Sequence, residues 1–188
     1  MKNACLFLLL TLLGTAAVAQ GVFNNQTNSA LEKVVKDYPT QFKNIKGELL
    51  SSNGGATEYQ SKIAIPGAVS TVITQSAAAH KPTMSWQSVL YTSNGFSGAK
   101  TRFEELFNQI KNTIIKPEGG NAVIVNGMYV DPSENNTFTT IQFDLLPPSA
   151  AIQEVCVDLV LKNTGKQWNI VLNVYNKEMR DMAAISAR

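Results

Sequence analysis

The residues able to do chemistry are few and widely spaced. Beyond residue 19 the chain holds one histidine, His80, and one cysteine, Cys156. A zinc site needs three or four converging His, Cys or carboxylate ligands, so no metal and no cofactor is expected. Hydrolysis through Ser, Thr or Cys needs a base beside the nucleophile. His80 is the single histidine of the chain, set among Ala77, Ala78, Ala79, Lys81 and Pro82 in a small-residue loop. No Gly-x-Ser-x-Gly elbow is present to present a serine to it. Paired carboxylates would serve sugar chemistry, but Glu104 and Glu105 are helix neighbours that point apart. Asp144 and Asp158 each interrupt an apolar strand and are better placed, and the simplest reading sets them on the outward face of a sheet. The loop Asp131 to Asn136 carries oxygen ligands without the spacing or glycine of a helix-loop-helix calcium site, and reads as a turn. Asn53-Gly54-Gly55 and Glu118-Gly119-Gly120 also read as turns, because neither follows a strand and opens a helix as a phosphate loop does. The remaining candidates are aromatic: Trp86, Tyr91, Tyr129 and Tyr175 fall in predicted strands, where rings exposed on a helix-free face would anchor a partner.

Whatever chemistry those residues do is expected outside the cytoplasm. Met1-Lys2-Asn3 is a short basic start, Ala4 to Gly14 is almost wholly apolar, and Ala17-Val18-Ala19 has the small residues read by a signal peptidase. The run is shorter than the ~20 apolar residues that span a bilayer, and the junction Ala19-Gln20 lacks the cysteine a lipid anchor requires. Residues 1–19 are therefore predicted to be a signal peptide. The expected product is exported to periplasm or medium, soluble, with no stable membrane anchor after cleavage. Residues 20–28 are predicted to be a flexible lead-in and 29–188 a single domain.

Cleavage would leave 169 of the 188 residues, enough to bury a substantial core without disulfides. Cys156 sits in Val155-Cys156-Val157-Asp158-Leu159, an apolar strand pattern that predicts a buried thiol. The formal charge of +2 is far from the basic excess of a nucleic-acid binder, so no nucleic-acid partner is expected. The charge is unevenly spread: residues 20–116 carry ten Lys or Arg against six Asp or Glu, and 117–188 carry five against eight.

The elements that position these residues follow from periodicity. Leu31, Val34, Val35, Tyr38, Phe42 and Ile45 recur at helical spacing, with a cap expected at Asn28 or Ser29. Pro39 breaks the pattern near Asp37-Tyr38 and is expected to open a second short helix. Strands are predicted for Tyr59 to Ile65, Val69 to Thr74 and Trp86 to Tyr91, with a weaker one at Gly47 to Ser52. A second helix has Ala99, Phe103, Leu106, Phe107, Ile110 and Ile114 as its buried stripe, Ser97 or Thr101 as its cap, and a capping box at Thr101-x-x-Glu104. Four strands follow: Ala122 to Val130, Thr137 to Leu146, Val155 to Lys162 and Gln167 to Tyr175. The last two are joined by the turn Asn163-Thr164-Gly165-Lys166, with Val155, Val157, Leu159, Leu161 and Trp168, Ile170, Leu172, Val174 alternating inward. Asn176 is expected to cap a closing helix through Ala184.

Helix, strands, helix, strands with hairpin-sized links predicts an α+β fold: an antiparallel sheet with helices packed on one face. The two helices end in related runs, Phe42-Lys43-Asn44-Ile45-Lys46 and Phe107-Asn108-Gln109-Ile110-Lys111, which fits a tandem helix-plus-strands repeat with halves at 29–95 and 97–176. In element order alone this is similar to the beta-lactamase inhibitor proteins, whose tandem repeats present a concave sheet to another protein. The numerous cysteines of that family are absent here, and no residue is carried over.

The sequence thus favours a non-catalytic binding domain that uses an uncovered sheet face to engage a protein or other envelope component. The alternative is a small-ligand carrier or hydrolase with a cavity between helices and sheet.

Overall fold

The computed structural model describes residues 26–76 and 82–179. The predicted signal peptide, residues 20–25 of the lead-in, His80 and the closing helix beyond residue 179 lie outside them.

The first helix, α1 (Gln26–Asp37), buries Ala30, Leu31, Val34 and Val35 on one stripe. The chain is already helical at Gln26, so Gln26, Thr27 and Asn28 belong to the helix and not to a lead-in. Its cap is accordingly neither Asn28 nor Ser29. Pro39 stops the helix as the missing N–H requires: Tyr38–Thr40 tightens into a single 3-10 turn with the proline at its start. The second short helix expected there is this single 3-10 turn. Phe42 and Ile45 are nevertheless buried, because the backbone reverses through two left-handed residues, Gln41 and Phe42, both at φ 58°.

A nine-stranded sheet holds most of the remaining chain. Its strands are β1 (Lys46–Asn53), β2 (Ala56–Ser61), β3 (Ser70–Ser76), β4 (Thr83–Ser93), β5 (Ile114–Ile115), β6 (Val123–Gly127), β7 (Phe138–Leu146), β8 (Val155–Asn163) and β9 (Trp168–Asn176). The second helix, α2 (Phe96–Ile110), separates β4 from β5. The spatial order is β1-β2-β3-β4-β9-β8-β7-β6-β5, and the paired neighbours run antiparallel. Two meanders therefore meet where the last strand of each, β4 and β9, pair in the middle. The broad α+β expectation, with one antiparallel sheet, is met.

Side-chain alternation builds the core as expected. Val155, Val157, Leu159 and Leu161 on β8 and Trp168, Ile170, Leu172 and Val174 on β9 are all buried, and pairs such as Leu159 with Leu172 sit directly opposite. Each such aliphatic side chain removed from water is worth roughly 1.5–3 kcal/mol. Phe103, Leu106, Phe107 and Ile110 of α2 and Leu31, Val34 and Val35 of α1 join the same cluster. Two strand glycines leave no room for a Cβ: one on Gly127 would stand 2.7 Å from the Phe143 ring and 3.1 Å from the Gln142 carbonyl oxygen, and one on Gly47 would stand 2.9 Å from the Gln60 carbonyl oxygen.

Two details of α2 differ from the sequence reading. The helix opens at Phe96 behind Gly95, with no side chain capping it. Thr101 lies inside the helix and donates to the Ser97 carbonyl at 3.2 Å, so no capping box forms. Ile114 leaves the helical stripe for β5, where it is 54% exposed while Ile115 is fully buried. The cause is the turn after Ile110, whose carbonyl accepts both the Thr113 amide at 3.1 Å and its hydroxyl at 2.6 Å.

Candidate interaction surface

The four aromatic residues expected to anchor a partner are placed apart. Trp86 faces the core on β4, has no exposed surface, and donates its indole N–H to Ser61 Oγ at 3.0 Å, with the Ile63 carbonyl at 3.3 Å. A ring so enclosed presents nothing to a partner. Tyr91 is half-buried against the core, on the far side of the β4 irregularity between Val89 and Tyr91. Tyr129 lies in the connection after β6 and not in a strand; its ring packs on Phe107 at 5.3 Å and Phe103 at 6.3 Å between centroids. Its hydroxyl is shielded without a well-formed hydrogen bond. Burial, with the Asp131 and Glu104 carboxylates nearby, holds that phenol above its ordinary pKa of 10.0. Tyr175 alone points to the face of the sheet away from the core cluster, where its hydroxyl donates to Asp158 Oδ2.

That face is ordered by register. Gln60, Val72, Gln87, Asn173, Asp158 and Gln142 stand opposite one another in turn across six strands, and Gln87 Nε2 donates to Asn173 Oδ1 at 3.0 Å. Beside this polar row runs an apolar one of Val89, Val171 and Val160. The middle of the face is shielded: Val171 is 1% exposed and Asp158 5%. A polar residue this buried is expected to be hydrogen-bonded, and Asp158 is, through Tyr175. Asp144, the other carboxylate singled out from sequence, is exposed on β7 opposite Asn126. Asp158 pairs with Gln142 instead, so the two carboxylates are not directly opposed.

The face opens towards β5, β6 and β7, and there it turns apolar. Ile114, Ile124 and Leu146 form one cross-strand row, exposed by 54%, 44% and 43%. Phe138 at the other end of β7 is 65% exposed, opposite Lys162. Among the described residues nine large hydrophobic side chains are exposed, and six of them fall between Ile114 and Leu146: those four with Met128 and Val130 of the β6–β7 connection. Alternation within Val123-Ile124-Val125 carries the signal for Ile124, since burying the flanking valines turns the isoleucine outward. Reading Ile114 as part of a helix hides the row from sequence.

Clefts adjoin this end. One of about 210 Å³ is bordered by Leu146, Ile152, Cys156 and Lys177, and another lies between Gly119-Gly120 and Pro147-Pro148. Both sit at strand ends and loops. Cys156 is buried, as its strand pattern implies. Among the described residues no group of three or more His, Cys, Asp or Glu side chains is gathered as a metal site, and Asp131 is ion-paired with Lys100 at 2.7 Å. No helix among them is long and apolar enough to cross a membrane. Comparison with protein-family models, with curated proteins and with solved structures finds no match to this chain.

Proposed function

We propose that the protein is an exported, non-catalytic interaction domain that engages a protein or other envelope component through the face of its sheet turned away from the core. The observation that carries the reading is the concentration of exposed apolar side chains on β5, β6 and β7, with Ile114, Ile124 and Leu146 in one row. Monomeric proteins seldom leave neighbouring large aliphatic residues in water without use, and such patches serve as contact surfaces. Phe138 adds an aromatic anchor and Asp144, Asn126 and Gln142 a polar margin, the usual make-up of a protein-binding surface. Export rests on the N-terminal charge, apolar and small-residue pattern of residues 1–19.

The same reading takes both helices to pack on the core side of the sheet and the domain to be a tandem repeat. Its support is the strand order, in which each half is a helix followed by a meander and the two last strands meet. The second half carries one additional short strand, β5.

Affinity recovery from an envelope extract tests the function, with the exported chain and its Ile124→Asp and Phe138→Ser variants as baits. The expected result is one reproducible partner retained by the wild type and lost at least tenfold with each variant, while thermal midpoints stay within a few degrees. Equal recovery by all three baits would remove this face from the function.

A further inference from the structure

A second site lies where the chain leaves α1. The Asp37 carboxylate, 7% exposed, accepts from Thr40 Oγ1 at 2.9 Å, from the Asn44 and Ile45 amides at 3.1 and 3.2 Å, and from Asn44 Nδ2 at 2.5 Å. This set of bonds closes the turn on itself and holds Gln41 and Phe42 both at φ 58°. Left-handed backbone is unfavourable for a non-glycine residue, and two in succession persist where the surroundings over-determine them. Here the Phe42 ring is fully buried and the Tyr38 ring stands edge-on to it at 5.9 Å.

The fixed turn forms one wall of a cleft of about 150 Å³. Thr83 and Met84 at the start of β4 and Asn176 at the end of β9 close the other side, with Glu178 at the mouth. Asn176 is committed twice: its Nδ2 donates to the Tyr38 hydroxyl at 2.5 Å and its Oδ1 accepts the Glu178 amide at 2.7 Å. The cleft is therefore built by bonds between distant parts of the chain. Its lining mixes an aromatic ring, two proline rings, a thioether and a carboxylate. Burial, the largest cause, raises the pKa of the Tyr38 phenol above the ordinary 10.0, and the carboxylates of Glu154 and Glu178 act on it in the same direction, so two acidic side chains lie near the cleft.

We infer that the cleft binds one basic side chain, a lysine ammonium or arginine guanidinium, presented by a peptide segment of a partner. The aliphatic stem of such a side chain would lie on Pro39, Pro82 and Met84, as long cationic side chains do on apolar surface. Its charge would meet the Tyr38 ring and the Glu178 carboxylate, combining a cation–π contact with a charge-assisted hydrogen bond. The volume matches one side-chain terminus and is below the several hundred Å³ typical of a small-molecule pocket.

Titrating the labelled exported chain with N-acetyl-arginine amide and N-acetyl-lysine amide, followed by amide NMR shifts, tests this site. Saturable shifts are expected at Gln41, Thr83 and Asn176, with N-acetyl-leucine amide giving none. Glu178→Gln changes an exposed side chain and is expected to keep the spectrum elsewhere while weakening arginine binding about tenfold. Shifts that never saturate, that appear equally with the leucine probe, or that survive Glu178→Gln unchanged would overturn the assignment. The outcome is independent of the β5–β7 face, whose partner recovery is read separately.

Discussion

At the scale of single residues, the half-buried ring of Tyr129 with its shielded hydroxyl makes the clearest physical claim. Its ring fills space against Phe103 and Phe107, but its hydroxyl gives up water without gaining a good hydrogen bond. Leaving a buried polar atom unmatched costs free energy that a phenylalanine would not incur. Tyr129→Phe is therefore expected to be neutral or stabilising at pH 7, by up to about 1 kcal/mol. The pH dependence has a definite sign. Burial and the carboxylates of Asp131 and Glu104 raise the folded-state pKa above 10.0, so the native protein favours the protonated phenol. The associated stability is fully present below the unfolded-state pKa and is lost as pH rises through the folded-state value. Urea unfolding across the range from pH 8 to 11.5 should show stability of the wild type falling more steeply above pH 10 than that of Tyr129→Phe. Parallel curves for the two proteins would disprove the assignment of this shift to Tyr129.

At the scale of elements, α2 is a well-packed helix with a weak start. Gly95 holds extended backbone at φ −106°, ψ 132°, and offers no side chain to the first amides. A Cβ added there would meet only Ser93 Oγ, at 4.0 Å. Gly95→Asp should therefore supply a cap oxygen, complement the helix dipole and reduce the freedom of the unfolded chain. The expected gain is about 0.5–1 kcal/mol in denaturant unfolding, and a loss would show that the Ser93–Gly95 turn cannot admit a side chain. This element also shows what sequence makes legible. The stripe Ala99, Phe103, Leu106, Phe107 and Ile110 was readable because helical periodicity is a property of neighbours three and four apart. Its start was not, since Thr101-x-x-Glu104 has the form of a capping box while the chain turns helical a residue after Gly95. The long strands were equally legible from alternation, Val155 to Leu161 most of all. The two residues of β5 were not, because so short a strand is defined by its partner, Ile114 against Ile124 and Ile115 against Val123, and not by its own pattern. The exposed row on β5, β6 and β7 stayed hidden for that reason. Trp86 failed as a surface anchor for a related one: alternation assigns it to a face, but the core side is settled only once Ile73 and Val174 stand opposite it.

At the scale of the molecule, the consequence of the strand order is that neither meander is complete alone. β4 and β9 pair from Ser85–Tyr175 to Ser93–Trp168 in the middle of the sheet, and separating the halves would expose both as long open edges. Units stacked in an open array can melt one by one, whereas this seam couples the two meanders. The chain contains two tryptophans, and they fall one in each half: Trp86 on β4 and Trp168 on β9, both buried. Trp86→Phe leaves Trp168 to report on the second half, and Trp168→Phe leaves Trp86 to report on the first. Each variant is expected to lose stability, Trp86→Phe in part because the indole bond to Ser61 Oγ at 3.0 Å disappears. Within each variant, however, the fluorescence transition and the far-ultraviolet circular dichroism transition should share one midpoint and one slope, the mark of a single cooperative unit. A Trp168 transition displaced from the circular dichroism curve in Trp86→Phe would mean that the second meander survives the first. The shared core of α2 with β4, β8 and β9 would then contribute less than the pairing within each half. The coupled outcome is favoured because α2, which opens the second half, packs against β4 of the first, so unfolding either half strips the same helix of part of its contact surface.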